Sequence, residues 1–529
     1  KLKGLAKVLP VVVEPLTIGT PMEPQASVKR LRQGLRRVRD GAFYVARYMS
    51  SQVQFCVFAN LLVNVVACLN ERVFFEKRDD GTYGHPFCPM PGVVSGLLGD
   101  FRRRFRRHCW LSAPVAPEQF VRTNYRGRKL ASYLLALRKY LARGVIAADA
   151  FVRAFLKREK IEVRPKRLVP RAIQPRSPVF NIGVGCFIHH LERPIFAIIQ
   201  RVYRSHVPVV FKGMDTFEQA SALVYNWRRF VHPKAILLDA NRFDQHVNVE
   251  LLKYEHSIYL SFYTGADRAE LARLLDMQLH TSGVFAADDG ALHYEVNGRR
   301  CSGDMNTSVG NCVLMTAMVH GFLSEQGVNP EDIALLNNGD DTCIIAEREV
   351  VDLLVPRIKP WFSQLGISMD LQGVVDELER IQFCQTHAVF DGCGWRMVRN
   401  VPTSLSKDAA FLHQRLTPNE YYSYLDNIGQ AGLALAWGMP VLQEYYLAMT
   451  RVHVEYKHVD VNFSDSGFAQ LAHGLEARVV PVTWEARVSF YNAFGILPDM
   501  QRAMESYYST VDLKDCSVAM HPPERFRVG

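Results

Sequence analysis

The sequence predicts an α+β fold in which an antiparallel sheet is backed by helices. Three observations carry that prediction. The apolar run Ala235–Leu238, closed by Asp239, reads as a buried strand ending at solvent. The apolar runs Ile333–Leu336 and Thr342–Ala346 flank Asn337–Asn338–Gly339–Asp340–Asp341, the pattern of a β-hairpin. Thr307–Leu323 is largely apolar, follows a loop rich in polar residues and Gly, and reads as a helix.

The remaining elements follow in chain order. Residues 1–30 hold several prolines and no clear period, so an irregular arm is expected. Lys29–Arg39 carries six basic residues in eleven positions, and Arg102–Arg107 five in six. Such runs suit phosphate backbones or simply form solvated faces. Val53–Leu69 is the most membrane-like stretch, but Gln54, Asn60 and Asn64 interrupt it, and a buried helix fits better than a span of about 20 apolar residues. Asp79–Pro91 reads as a loop, and Leu130–Leu141 as an amphipathic helix. Phe151–Arg176 holds nine basic residues, broken only by Glu159 and Glu162, with prolines at 165, 170 and 175 that forbid a long helix. It is expected to be extended, cationic and suited to a triphosphate or nucleic-acid backbone.

Composition narrows the class. The chain has 529 residues, 48% hydrophobic and 22% charged, which excludes a disordered tail, a collagen-like repeat and a small disulfide scaffold. Residues 1–200 hold 35 basic and 13 acidic side chains, a net +22, and the remainder 28 and 40, a net −12. A basic half joined to an acidic half favours a polyanion partner for the first and cation binding in the second. The eleven cysteines form no C-x-x-C pair or zinc spacing and are expected to be reduced. The chain opens on Lys1 and has no visible signal peptide, so a processed, truncated or downstream portion of a longer product is expected.

Three motifs bear chemistry. Asp239 ends its strand, and Asp244 falls five residues on, in a turn or at the start of a helix, where an N-cap is the plain alternative. In Ser302–Asn311, Thr307 and Asn311 stand four apart and share a helix face after a Gly-containing loop, suited to a sugar or an ordinary capped helix. The hairpin tip presents Asp340 and Asp341, which repel one another and are most easily kept ionised beside a divalent cation; a solvated turn is the alternative. Convergence of Asp239 with the tip would give three carboxylates for hard cations such as Mg²⁺. A pair of such ions about 4 Å apart suits in-line phosphoryl transfer. With the basic segment for a triphosphate and the Asn311 face for a ribose, the parts fit nucleotidyl transfer.

The ordered motifs resemble the RNA-dependent RNA polymerases of the tombusvirus and carmovirus group of positive-strand RNA viruses. The likeness spans roughly residues 71–410: "ERVFF" at 71–75, "QFVRTNYRGRK" at 119–129, "FLKREKI" at 155–161, "VPRAIQPRSPVFN" at 169–181, "LDANRFDQHV" at 238–247, "CSGDMNTSVGNC" at 301–312, "NNGDD" at 337–341, "IQFCQ" at 381–385 and "WRMVR" at 395–399. It implies a right-hand fold: an N-terminal extension (1–70), fingers (71–230), a palm (231–400) with a fingers insertion at about 251–295, and a thumb with the C-terminal tail (401–529). Asp239 and Asp340, with Asp341 beside them, are the implied catalytic residues and ligands of two Mg²⁺ ions, with Mn²⁺ able to substitute. Asp244 and Asn311, helped by Ser302, Gly303 and Thr307, would select the ribose 2′-hydroxyl. Arg171 would meet the triphosphate, supported by Lys157, Lys160, Lys166 and Arg176. Arg128 and Lys129 would contact RNA, and the Cys384–Gln385 turn would grip the priming strand. One departure stands out: Asp370 occupies the position after Leu365–Gly366 where a general-acid lysine is expected, and Lys359 lies eleven residues upstream of it.

The implied partners are template and nascent RNA, ribonucleoside triphosphates, an auxiliary viral replication protein, and host membranes through an upstream segment or a partner. The implied location is the host cytoplasm, in membrane-associated replication complexes. A reverse transcriptase would block the 2′-hydroxyl with an aromatic near the first Asp, where Asp244, Ser302 and Asn311 invite it. A non-catalytic RNA-binding protein would explain the +22 half but not three carboxylate-bearing motifs in the other.

Overall fold

The computed structural model describes residues 55–78, 80–163, 167–412, 417–451 and 467–511, residues 12 and 459, and the backbone of three N-terminal strands, Leu5–Val8, Ala26–Gln33 and Phe43–Ala46. At its centre lies a four-stranded sheet in the order Ile333–Asn338, Asp341–Glu347, Pro233–Ala240 and Met369–Val375, antiparallel throughout. The three sequence motifs thus become neighbours in one sheet and its flanking helix.

The period-2 alternation of strands explains why these segments are apolar on both faces. Ile236, Leu238, Leu335 and Ile344 pack with Val309, Cys312 and Val313 of the helix Thr307–Glu325 in the largest core. Ala235, Leu237, Leu336, Cys343 and Ile345 point the other way, into a second core with Phe211, Leu223, Phe383 and Met397. Helix Arg348–Ser363 joins the first core through Val351, Leu354, Ile358 and Phe362. A sheet covered on both sides fixes its register, because a one-residue slip would exchange the two faces.

A separate sheet has the order Ala26–Gln33, Gly290–Asn297, His280–Ala287, Val152–Leu156 and Ala172–Ile173. The described part of the basic segment holds no helix, but it is not one extended run: Val152–Leu156 and Ala172–Ile173 pair antiparallel, so the chain doubles back on itself. Downstream, helices Val401–Lys407, Pro418–Ala436, Leu442–Thr450, Trp484–Phe494 and Pro498–Thr510 surround a third core that includes Tyr421, Tyr445, Met449 and Phe490.

Helix Gly127–Arg143 matches the amphipathic pattern. Three other expectations are corrected. The arm at 1–30 is not wholly irregular: residues 26–33 pair with 290–297, more than 250 positions away, a docking that leaves no local period to read. In the stretch 53–69, the described residues form a strand at Phe55–Cys56, run irregularly from Val57 to Leu61 and become helical from Leu62. Among the described residues, the run long and apolar enough to cross a membrane is Pro178–Val202 instead, and its Ile182, Ile188, Ile195 and Ile199 lie in the largest core. The ten described cysteines are all free.

Candidate active site

The hairpin turn is built by its own sequence. Asn338 pairs with Asp341, leaving Gly339 and Asp340 as the two-residue turn, and Gly339 takes φ +89°. A positive φ at the first central residue is what Gly supplies in type II′ turns. The buried Asn337 side chain braces the loop, donating to the Gly339 carbonyl at 2.8 Å and accepting from the Gly339 N–H at 3.2 Å. Asp340 is left exposed at the tip.

Register brings the three carboxylates together. Leu238 pairs with Thr342, so the next step places Asp239 beside Asp341 on the neighbouring strand. Directly opposed antiparallel residues hold their β-carbons about 4.5–5.5 Å apart on one face. The electrostatics agree: burial, then the charges of Asp340 and Asp239, lift the Asp341 carboxyl to about 6. On its other side Asp239 pairs with Asp370, which is exposed on the strand Met369–Val375.

Among the described residues, no three His, Cys, Asp or Glu side chains close into a ready-made metal cage. The donor chemistry nonetheless fits Mg²⁺, which binds through one or two carboxylates and completes its shell with water and phosphate oxygens. Mutual repulsion among Asp239, Asp340 and Asp341 is what a divalent cation would relieve.

A second cluster forms around Asp244, in the short helix Phe243–His246. Ser302 Oγ donates to one carboxylate oxygen, and Asn311 Nδ2 to the other at 3.2 Å. Burial raises the Asp244 carboxyl against these hydrogen bonds and the nearby Arg300 charge, with Asp340 pushing it further up. The structure thus joins Asp244, Ser302 and Asn311. Thr307 does not join them: its hydroxyl donates to the Cys301 carbonyl at 2.8 Å and secures the loop. Gly303 lies in that loop at φ +138°, where a β-carbon would stand 3.1 Å from Pro175 N and 3.2 Å from the Gln174 backbone. It lets the loop lie against the basic segment.

That segment is less available than its charge count suggests. Arg171 is half-exposed and forms a two-pronged pair with Glu159, while feeling the charges of Asp340 and Asp244. Lys157 also meets Glu159, at 3.1 Å. Lys160 is no surface cation: it is 8% exposed and donates to the Lys407 carbonyl at 2.7 Å and the Ala410 carbonyl at 3.0 Å. Arg176 is likewise committed, its 1%-exposed side chain pairing with Asp304 at 2.7 Å and donating to the Ala150 carbonyl at 2.7 Å. Both are structural ties rather than nucleotide contacts, because burying a cation requires partners within the fold. Lys166 lies outside the described residues.

Cys384 and Gln385 form a turn with φ +52° and +61°, between Phe383 and Thr386. Asn338 Nδ2 donates to Cys384 Sγ at 2.9 Å, so this turn touches the carboxylate hairpin. Arg128 and Lys129 are exposed at the start of helix Gly127–Arg143, with Lys129 5.1 Å over the Tyr125 ring.

Sequence reasoning missed three contributors. Glu159 is the carboxylate that holds Arg171 and Lys157; its place inside a basic run was the available signal. Arg300 and Glu255 form a fully buried ion pair, and Arg300 Nε donates to Asn311 Oδ1 at 3.0 Å. Asn306 and Tyr259 complete the Glu255 shell at 2.8 and 2.7 Å. Forty-five positions separate Arg300 from Glu255, and no local pattern announces the pair.

Comparisons with known proteins complete the picture. The family model described as viral RNA dependent RNA polymerase matches residues 30–515. The chain is 37% identical over 457 residues to the RNA-directed RNA polymerase of Tobacco necrosis virus (strain A), covering 86% of this chain and 62% of that protein. It is 37% identical over 472 residues to the RNA-directed RNA polymerase of Turnip crinkle virus, covering 88% and 59%. With the RNA-directed RNA polymerase of Tomato bushy stunt virus (strain Cherry) it shares 34% over 510 residues, 96% and 60%. The chain therefore spans about three fifths of the length of these relatives.

Proposed function

Because the chain belongs to the viral RNA-dependent RNA polymerase family, we propose that it copies RNA templates into RNA, transferring nucleotides from ribonucleoside triphosphates to an RNA 3′-hydroxyl. The observation that carries this reading is the approach of Asp239 to Asp341 in one sheet, with Asp340 at the adjoining turn and the Asp244–Ser302–Asn311 cluster nearby. We assign fingers to 71–230 with the insertion at about 251–295, palm to 231–400, thumb to 401–529 and an N-terminal extension to 1–70. The assignment is supported by the sheet shared between the insertion and the strand Val152–Leu156.

Each residue has a task in this reading. Asp239, Asp340 and Asp341 would hold two Mg²⁺ ions, which when bound supply charge neutralisation and a lowered pKa for the attacking hydroxyl. Asp244 accepts from the ribose 2′-hydroxyl while Asn311 and Ser302 keep its carboxylate aimed. A site built to hydrogen-bond a hydroxyl discriminates strongly, since the analogue lacking it leaves buried polar groups unpaired. Arg171, exchanging its Glu159 partner for phosphate, receives the triphosphate together with Lys157. The Cys384–Gln385 turn supports the strand end beside the carboxylates. With Asp370 where a lysine is expected, the proton for pyrophosphate has no assigned donor. From the resemblance read in the sequence, we propose further that the enzyme works in membrane-associated replication complexes of the host cytoplasm, with an auxiliary viral replication protein.

The test is labelled-nucleotide incorporation on single-stranded RNA with Mg²⁺, comparing ribonucleotides, deoxyribonucleotides and Asp340→Ala. Ribonucleotide incorporation that vanishes in the variant, with RNA affinity kept, supports the reading. RNA binding without synthesis, even with the auxiliary protein added, refutes it.

A further inference from the structure

The segment before the helix Thr216–Trp227 runs along the outer edge of the central sheet. Val210 bridges Asn337 in parallel; the Phe211 N–H donates to the Asn337 carbonyl and the Asn337 N–H to the Val209 carbonyl, both at 2.9 Å. Phe211 is buried against Phe383, their rings 5.4 Å apart, which pins the segment in place. Lys212, the next residue, is thereby delivered to the hairpin tip. Its Nζ lies 4.0 Å from the point where a β-carbon on Gly339 would stand. Its charge acts on Asp341, Cys384 and Cys312.

Lys212 is partly buried, and among the described residues its ammonium makes no hydrogen bond or ion pair. Arg176, Arg300 and Lys160, three buried cations of the described residues, are all satisfied within the fold. A half-buried ammonium left without an acceptor is costly unless a ligand brings one. The position indicates which ligand. Arg171 feels Asp340 and Asp244, on the side assigned to the incoming nucleotide. The Lys212 charge instead acts on Asp341 and on Cys384, which lies in the turn assigned to the end of the growing strand.

We propose that Lys212 binds the 3′-terminal phosphodiester of the growing RNA strand and so seats the strand end beside the carboxylates. This rests on the RNA-synthesis reading above. Lys212 is a positioning residue there, supplying a point charge and donors to a phosphate oxygen.

The experiment uses a hairpin RNA with a recessed 3′ end, its last linkage either natural or a neutral methylphosphonate. Wild type, Lys212→Met and Lys212→Arg are compared for RNA Kd without nucleotide, KM for nucleotide and thermal midpoint. The expected result is a roughly tenfold weaker Kd in Lys212→Met, as for loss of one charge-assisted hydrogen bond, largely restored in Lys212→Arg. The methylphosphonate should cost wild type a similar factor and Lys212→Met nothing. An unchanged Kd in Lys212→Met, a change confined to KM for nucleotide, or a wild type indifferent to the methylphosphonate each overturns the proposal. The wild-type comparison needs no variant to fold. Synthesis by wild type with any of those results refutes the role of Lys212 alone, whereas wild type that binds the RNA but incorporates nothing refutes the reading beneath it.

Discussion

Asn311 donates to the Asp244 carboxylate at 3.2 Å, joining the long helix Thr307–Glu325 to the short helix that follows the central strand. With Ser302 on the other oxygen, the carboxylate is oriented from both sides. Discrimination between ribose and deoxyribose should therefore reside in this pair. Asp244→Asn and Asn311→Ala are expected to lower the ratio of kcat/KM for ribonucleotide over deoxyribonucleotide by roughly 10–100-fold, below the 10⁴–10⁵ that a full hydroxyl-reading site reaches. Steady-state incorporation of both nucleotide types checks it; an unchanged ratio would remove Asp244 from sugar selection.

Asp341 makes stability depend on pH. Its carboxyl titrates near 6 in the folded protein, above the ordinary 3.8, because burial and the charges of Asp340 and Asp239 oppose ionisation. Between those values the folded state holds a proton that the unfolded state has released, so this group lowers stability as pH rises from about 4 to about 6. Asp341→Asn removes that loss. In metal-free buffer it should match wild type near pH 4 and exceed it above pH 6, by up to about 3 kcal/mol for two pKa units. Denaturant melts across pH 4–7 decide the matter, and parallel curves would contradict it.

The elements legible in the sequence were those whose signal is local. The hairpin at 333–347 announced itself through two apolar runs around Asn337–Asp341, and the long helix through its apolar length after a polar, Gly-containing loop. The match of Asp239 to Asp341 required strand register, which the motif order suggested but no spacing encodes. Charge misled where burial intervened: Arg176 and Lys160 look like phosphate ligands in a run of nine cations, yet the fold consumes both. Whether a cation is free depends on partners such as Asp304 and the Lys407 carbonyl, more than 100 positions away.

Arg171 and Arg176, five residues apart, should therefore fail in different ways. Arg176→Met strands the buried Asp304 carboxylate, and breaking a buried pair costs about 3–5 kcal/mol. Arg171→Ala removes a half-exposed pair worth about 1 kcal/mol or less, but should raise KM for nucleotide roughly tenfold through the lost charge-assisted contact. Thermal melts and nucleotide titrations on the two variants separate stability from binding. A nucleotide KM effect in a normally stable Arg176→Met protein would reverse the assignment.

The Arg300–Glu255 pair allows stability and selectivity to be pulled apart. Both side chains are essentially inaccessible, and Glu255 is shared with Asn306 and Tyr259. Glu255→Leu alone leaves a buried guanidinium uncompensated and is expected to cost about 3–5 kcal/mol. Adding Arg300→Met removes that charge, and apolar replacement of a buried pair is often close to neutral. The double variant should regain much of the lost stability, less whatever the orphaned Asn306 and Tyr259 groups cost. It should not regain sugar selectivity, because Arg300 Nε is the donor that holds Asn311 Oδ1 at 3.0 Å and turns its amide toward Asp244. Recovered thermal stability with a still-depressed ribose-to-deoxyribose ratio would establish that the buried pair orients Asn311. Recovery of both together would mean that packing alone holds the amide in place.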